Sequence, residues 1–305
     1  MELPSRAQVA LAVAAAVAAM LLYGGQFVVS RWSIQRSLSL WDLGTIRFLV
    51  AGLVCLPVAL RARGGSQLRW SRLLVLTVAA GAPYTLIMYA GLSLAPAAHG
   101  AVIIPGATPV VSAVLAWIWL GERPWPARGL GLVVIVAGLT LVGWPALGRA
   151  GEPVTWLGDA LFVVAGVLWG VYTVSARAWA VDPWRATAAV WALSLVCVPV
   201  YAVIVGPAPL LQAPRGEVIF QAIYQGIGVA IIALALYSFS IRVLGAPIAS
   251  LFMPLTPVFG VLLGIPVLDE LPDGWQLLGM LAVAAGMIVA ARPARAAQRP
   301  GCRES

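Results

Sequence analysis

The sequence predicts an all-α integral membrane protein, in which ten transmembrane helices form two inverted five-helix repeats around a central cavity. The first observation is composition: 62% of the residues are hydrophobic, 10% are charged and the mean hydropathy is +0.96. A soluble domain of 305 residues cannot bury that much apolar surface. The second is that the apolar runs have the length of membrane spans. The third is a long segment that occurs twice.

The apolar runs are about 20 residues long, which is the length that an α-helix needs to cross a bilayer. Charged residues, prolines and glycines divide them into ten predicted spans. In order these are 9–30, 41–60, 73–93, 98–120, 128–147, 157–179, 184–205, 217–242, 245–266 and 275–291. The runs are too long and too uniformly apolar for the alternating strands of a barrel, so each is predicted to be helical.

The repeat becomes visible when residues 89–143 are shifted by 148 positions onto residues 237–291, with 14 identities in 55 positions and no gap. The identities include Thr108-Pro109-Val110 with Thr256-Pro257-Val258, Glu122 with Glu270, and Gly131 and Gly138 with Gly279 and Gly286. The predicted domains are therefore a first five-helix repeat at 9–147 and a second at 157–291. A basic tail at 292–305 follows them.

Arginine positions predict the direction of the spans. All 19 basic residues are arginine, and a cytoplasmic N-terminus would place 14 of them inside, four outside and Arg47 within a span. Five spans are an odd number, so the second repeat must run through the membrane in the opposite sense. The loop at Glu122-Arg123-Pro124 is basic, whereas its copy at Asp269-Glu270 is acidic, as this inversion requires. We expect a multi-pass cell-membrane protein with both termini in the cytoplasm.

Several functional classes are excluded or disfavoured. The arginines are scattered at the ends of apolar runs, which argues against nucleic acid as a partner, and no Walker motif is present for ATP hydrolysis. One histidine and no carboxylate deep within a span leave little with which to build an enzyme, so none is expected. The three cysteines have no paired spacing, and we expect neither a metal site nor a cofactor.

Polar and aromatic residues within apolar spans are the best indicators of a transport path, because a polar group in hydrocarbon needs a partner or water. Either they line a substrate cavity, or they hold packed helices together through hydrogen bonds and aromatic contacts. The predicted cavity residues are Tyr23, Gln26, Tyr84, His99, Trp169, Tyr172, Gln221, Tyr224 and Gln225. Gln221, Tyr224 and Gln225 share one helix face, because they are three and four positions apart.

Two basic residues are candidates for proton or anion coupling. His99, the only histidine, begins the fourth span and could relay a proton, although a single histidine at a helix end also serves as a cap or an interfacial residue. Arg47 lies about six residues inside the second span. It could extend to the membrane surface, pair with Asp42, or face the cavity and attract a carboxylate.

Prolines and two glutamates are the predicted helix-break and gating residues. Pro105, Pro109, Pro254 and Pro257 are expected to interrupt the fourth and ninth spans, and paired broken helices are typical of a transporter's central site. Glu122 and Glu270 end those spans at opposite surfaces. We expect each carboxylate to cap the following helix or to stabilise a gate.

The pattern resembles the drug/metabolite transporter superfamily, specifically a pair of EamA-type domains over about residues 9–291. The resemblance is carried by Leu22-Tyr23-Gly24 and Leu168-Trp169-Gly170, by Arg47-Phe48, and by Leu120-Gly121-Glu122-Arg123, Leu130-Gly131 and Ala137-Gly138 with their copies at Asp269-Glu270, Leu278-Gly279 and Ala285-Gly286. It implies a ten-helix bundle whose cavity is lined by spans one, three, four, six, eight and nine. Two departures are Asp269 in place of the usual glycine and Ala189 at the position that matches Arg47.

The expected function is secondary active or facilitative transport by alternating access, with export expected. The resemblance implies that the substrate is a small organic metabolite, such as an amino acid or a related amphipathic compound. The alternative is a flippase for lipid-linked carriers or a non-transporting membrane scaffold. The expected partners are the metabolite, the lipid bilayer and, for a coupled transporter, protons. The substrate and the oligomeric state are left open by the sequence.

Overall fold

A computed structural model describes residues 5–62, 69–122, 125–148 and 154–291, and every regular element in these ranges is helical. The first half contains α1 (Arg6–Ile34), α2 (Leu40–Ala62), α3 (Trp70–Ala80), α4 (Ala82–Leu94), α5 (Ala97–Leu120) and α6 (Pro126–Gly148). The second half contains α7 (Thr155–Ala178), α8 (Pro183–Ser194), α9 (Cys197–Ile204), α10 (Ala208–Gln212), α11 (Arg215–Gln221), a π-helical segment (Ala222–Ile232), α12 (Ala233–Leu244), α13 (Ala246–Ala249), a 3-10 turn (Ser250–Phe252), α14 (Leu255–Leu268) and α15 (Gly274–Ala290). The predicted basic tail at 292–305 lies outside the described residues.

Eight helical segments within the described residues are long and apolar enough to cross a membrane. Two further apolar segments, Pro126–Val142 and Gly274–Ala290, are shorter than the length usually taken for a span. Large apolar side chains such as Ile118 and Val133 are 66% exposed on the outer surface, which suits lipid and not water. The prediction of an all-helical, multi-pass membrane protein is therefore confirmed, and the count of ten spans stays a prediction.

The fifth helices of the two repeats, α6 and α15, pack closely through the repeated glycines. A Cβ atom at Gly131 would lie 2.7 Å from the carbonyl oxygen of Gly286, and one at Gly138 would lie 2.7 Å from that of Gly279. Only glycine permits so close an approach of two backbones. Gly131 meets Gly286 and the later Gly138 meets the earlier Gly279, so the two helices are antiparallel.

The first helix of each repeat packs against the fourth helix of the other. In α1, a Cβ atom at Gly24 would lie 2.6 Å from the carbonyl oxygen of Thr256 in α14. In α7, one at Gly170 would lie 2.8 Å from Cγ1 of Val111 in α5, close to Thr108. Because Gly170 and Thr108 are the copies of Gly24 and Thr256, the repeated motifs form equivalent contacts between the two halves.

The helix breaks do not follow the predicted prolines in the first half. α5 is helical from Ala97 to Leu120 and continues through Pro105 and Pro109, so the interruption expected there is absent. In the second half, the ninth span is interrupted as predicted: a 3-10 turn (Ser250–Phe252) precedes Pro254, and α14 begins immediately after it. Pro257 lies in the first turn of α14, where the missing N–H removes no helical hydrogen bond.

Irregular backbone also occurs in the third helix of each repeat. Gly81 separates α3 from α4, and the π-helical segment interrupts the equivalent span between α11 and α12. With the offset of 148 residues, Gly81 corresponds to Val229, which lies within the π-helical segment. π-helical turns often mark functional sites, because they displace side chains from the regular helical positions. Both irregularities occur beside the cavity described next.

Candidate functional site

A cavity of about 110 Å³ lies between the two halves of the chain. Its described lining comes from α1, α2 and α3 of the first half and from α7, α8, the π-helical segment and α12 of the second. The residues are Tyr23, Arg47, Ala80, Trp169, Tyr172, Thr187, Val190, Trp191, Val229, Ala230 and Leu234. Neither α5 nor α14 contributes to the lining of this cavity, whereas α2 and α8, which the resemblance did not include, do contribute.

Arg47 is the one charged residue among the described lining residues, and it is only 5% exposed. Its Nη1 atom donates to the side-chain oxygens of Gln26 and Gln225, each at 3.2 Å, and lies 3.5 Å from the hydroxyl of Tyr89. The arginine therefore neither extends to the membrane surface nor pairs with Asp42. Of the three orientations that the sequence allowed, the structure shows the one that faces the cavity.

The other edge of the Arg47 guanidinium is unpaired. Nε is buried and has no hydrogen-bond partner, and the hydrogen bonds to described residues all leave from Nη1. No carboxylate in the described part of the chain forms an ion pair with Arg47; its neighbours are amides, a phenol and aromatic rings. A buried cation without a counterion is costly, and such a group in a cavity wall is suited to bind an anion.

Aromatic rings surround this charge. The Trp169 ring centroid lies 5.1 Å from that of Tyr84 and 5.3 Å from that of Tyr172, and Cζ of Arg47 lies 5.0 Å from the centroid of Trp191. Trp191 and Thr187 were missed by the sequence reasoning. The span that carries Trp191 has no distinctive polar pattern, so only the position of Trp191 beside Arg47 identifies it.

The amides of the eighth span connect it to α1. Gln225 Nε2 donates to Ser30 Oγ at 2.7 Å while its Oε1 accepts from Arg47, so this residue also orients the arginine. Gln221 Nε2 donates to Ser33 Oγ at 2.7 Å and to the carbonyl of Val29. Gln221 thus holds its helix against α1, which is the alternative to lining the cavity that the sequence also allowed.

Tyr224 lies on the same face and donates to the carbonyl oxygen of Leu22 at 3.3 Å. Its hydroxyl occupies the space beside Gly25, where a Cβ atom would approach it to 2.3 Å. Of the nine predicted cavity residues, Tyr23, Trp169 and Tyr172 line the cavity. Tyr84, Gln26 and Gln225 contact lining residues, whereas Gln221 and Tyr224 lie between helices.

His99 also lies away from the cavity, in a separate polar cluster. Its Nδ1 is 2.8 Å from Asp159 Oδ1, and its Nε2 is 2.8 Å from Gln276 Nε2. Gln276 Oε1 accepts from the backbone N–H of Asp273, so the amide nitrogen must be the group that faces His99. The imidazole therefore accepts at Nε2 from Gln276 and faces the Asp159 carboxylate with Nδ1.

The two predicted gating glutamates form equivalent ion pairs at opposite ends of the bundle. Arg31 at the end of α1 pairs with Glu270, and Arg177 at the end of α7 pairs with Glu122. Arg177 is the copy of Arg31, as Glu122 is the copy of Glu270. Each pair joins the two repeats, and sequence reasoning identified the glutamates but not their arginine partners.

The two pairs differ in burial and in further contacts. Arg31 and Glu270 are 16% and 15% exposed, whereas Arg177 and Glu122 are 58% and 44% exposed. Glu270 Oε2 also accepts from the backbone N–H of Ala97 at 2.8 Å, and so caps α5 of the other repeat. This differs from the predicted cap on the following helix, because Asp273 caps α15 by accepting from the backbone N–H of Gln276. Arg31 Nη1 donates to the carbonyl oxygen of Leu92.

Comparison with known proteins gives the family. The family model described as the EamA-like transporter family matches this chain twice, over residues 10–144 and 156–292. A relative described as an uncharacterized transporter, from Archaeoglobus fulgidus, is 25% identical over 277 residues, which are 88% of this chain and 93% of the relative. A solved structure described only as the crystal structure of a protein superposes on this chain with a TM-score of 0.59 and is 23% identical in sequence. The superposition covers 92% of this chain and 97% of the chain in that structure.

The solved structure shares the fold and, at this identity, supports no statement about function. The two family matches together cover most of the chain, and the resemblance stated from the sequence is confirmed. With its two tandem copies of the family's unit, this chain belongs to the EamA-like transporter family and is a membrane transporter.

Proposed function

We propose that the protein is a secondary transporter that moves a small organic metabolite by alternating access, in the direction of export. The observation that carries this proposal is the cavity between the two repeats, in which a buried arginine lies among aromatic rings. Sites between repeats, beside irregular helices, are the usual substrate sites of transporters built from inverted repeats. Aromatic and apolar walls with few polar groups suit an organic molecule better than a bare ion.

The membrane arrangement is part of the proposal. α6 has 23 residues and α15 has 17, which correspond to about 34 and 25 Å of helix and approach the thickness of the hydrocarbon core. If both cross, each repeat contains five spans and the second is inverted relative to the first. The antiparallel contact of α6 with α15 supports this arrangement, and the arginine distribution supports cytoplasmic termini.

The inter-repeat ion pairs are the proposed gates. Arg31–Glu270 closes one end of the junction between the repeats, and Arg177–Glu122 closes the other. In alternating access the repeats move relative to one another, so that one pair opens while the other remains closed. The cavity of about 110 Å³ is smaller than the roughly 300–1,000 Å³ of typical ligand sites, so substrate entry requires such an opening.

The test is a metabolite comparison between cells that overexpress the protein and cells that lack the gene. Compounds that accumulate in the medium only on overexpression are then loaded into proteoliposomes, and efflux is measured with and without an imposed pH gradient. Empty liposomes and protein inhibited by a cross-link between the repeats serve as controls. Efflux no faster than from empty liposomes, for every compound found, would refute the proposal and favour a flippase or a scaffold.

A further inference from the structure

We infer that the cavity binds a monocarboxylate with a small apolar body, and that the carboxylate is held by the Nε–Nη2 edge of Arg47. This inference rests on the proposed function, since it names the class of substrate for the same cavity. It goes further by assigning the binding group, the edge of that group and the sign of the charge on the substrate.

One edge of the Arg47 guanidinium is held by neighbouring side chains, and the other edge is open. Nη1 is occupied by the side-chain oxygens of Gln26 and Gln225, which hold the plane of the group in place. Nε is buried without a partner, and the hydrogen bonds that Arg47 donates to described residues leave from Nη1, so Nη2 is open to a ligand. Nε and Nη2 present two parallel N–H groups on one side, which is the geometry that receives both oxygens of a carboxylate. Gln26 and Gln225 are therefore positioning residues for Arg47.

The positive charge of Arg47 has no acidic counterpart in the described lining of the cavity. The described lining of the cavity contains one arginine and no acidic residue, so an anion bound there neutralises a buried charge. A zwitterionic amino acid would leave its ammonium group without a carboxylate partner, and the Trp169, Trp191 and Tyr23 rings would supply only a weaker attraction. The cavity therefore favours a simple carboxylate over the corresponding amino acid, and this narrows the expected class of substrates.

The cavity is small, and most of its wall is apolar. At about 110 Å³ the cavity is well below the roughly 300–1,000 Å³ of typical ligand sites, so it suits a small ligand. Beside the arginine the wall consists of rings and of small aliphatic residues such as Val190, Val229 and Ala230. The fitting ligand is thus a short branched or planar acid, and its apolar part would contact these side chains.

Three probes with one carbon skeleton test this assignment: isovalerate, its neutral amide isovaleramide, and valine, which adds the ammonium group. Binding to the purified full-length protein in detergent is followed by tryptophan fluorescence, because Trp169 and Trp191 lie in the cavity wall. We expect the wild type to bind isovalerate about 10- to 100-fold more tightly than isovaleramide, as for a hydrogen bond between charged groups. Valine should bind less tightly than isovalerate.

Variants identify the responsible group. Arg47→Gln should reduce the preference for isovalerate over isovaleramide to about twofold or less, and Arg47→Lys, which keeps the charge without the fork, should give an intermediate value. Arg36→Gln is the matched control, because Arg36 is an exposed arginine that stacks on Trp32 and should leave the preference unchanged. Arg47→Lys also covers the case in which Arg47→Gln does not fold.

Four results would overturn the inference: no binding of isovalerate to the wild type, equal binding of acid and amide, an unchanged preference in both Arg47 variants, or tighter binding of valine. Tighter competition by inorganic phosphate than by isovalerate would overturn the choice of a carboxylate. Flux assays separate this inference from the proposed function. Transport of neutral or cationic compounds without acid preference would leave the function standing, whereas acid-selective binding without any flux would uphold the site and refute transport.

Discussion

The two equivalent ion pairs allow one substitution to be compared at two sites. Glu270→Gln removes the negative charge that Arg31 and the N-terminus of α5 share, whereas Glu122→Gln removes the charge from an exposed pair. Hydrogen bonds to charged groups contribute about 1.5–3 kcal/mol and neutral ones about 0.5–1.5 kcal/mol. Glutamine keeps one acceptor, so we expect Glu270→Gln to lower the free energy of unfolding by about 1–2 kcal/mol. Solvent screening should limit the effect of Glu122→Gln to about 0.5 kcal/mol.

The assay is equilibrium unfolding of the purified protein in mixed micelles with increasing SDS, followed by circular dichroism. Double-mutant cycles with Arg31→Gln and Arg177→Gln isolate the two pairwise energies, because the cycle cancels effects that do not depend on the partner. We expect a coupling of about 1–2 kcal/mol for Arg31–Glu270 and at most about 0.5 kcal/mol for Arg177–Glu122.

Equal losses at the two sites, or a larger loss at Glu122, would refute the reasoning from burial. The same result would show that the two ends of the bundle differ less than the exposed fractions of these side chains indicate. A loss at Glu270 without coupling to Arg31 would assign the effect to the cap on Ala97 alone.

Three further predictions concern single contacts. Gln225→Ala should reduce transport about tenfold at unchanged membrane abundance, because Arg47 loses an acceptor; equal loss of transport and abundance, measured by flux and immunoblot, would assign Gln225 a structural role. Gly138→Ala should destabilise the SDS-monitored fold by about 1–3 kcal/mol through contact with the Gly279 carbonyl, whereas Gly129→Ala, with open space around it, should be neutral or slightly stabilising. His99→Leu should cost about 1–3 kcal/mol, since Asp159 and Gln276 lose a partner; unchanged stability with a lost pH dependence of transport would instead make His99 a proton carrier.

Part of the architecture could be read from the chain because it depends on one-dimensional patterns. The length of apolar runs identified helical spans, and every described span overlaps a predicted one. The duplication of the glycines is visible in the chain alone, and Gly131, Gly138, Gly279 and Gly286 form the contact between α6 and α15. A repeated motif without polar groups more often forms a packing contact than a binding or catalytic site. These four glycines do form a packing contact.

The helix breaks show where this reasoning failed. Proline predicts an interruption, and the ninth span is irregular just before Pro254, but Pro105 and Pro109 lie in a continuous helix. A bilayer leaves few alternatives to helix, and a helix can accommodate proline when neighbouring helices satisfy the freed carbonyl groups. The π-helical segment (Ala222–Ile232) has no comparable marker in the sequence.

The sequence by itself determined the environment, the helical class, the duplication and the family, because hydrophobic length and internal similarity require no knowledge of distances. Only the tertiary structure decided which way Arg47 points and that Trp191 lies beside it. It alone also decided that Glu270 pairs with Arg31 and Glu122 with Arg177. These contacts join residues that are far apart in the chain, and they depend on how each helix is rotated about its axis. Neighbouring helices set that rotation, so the chemistry of the cavity appears only when the two repeats are packed together.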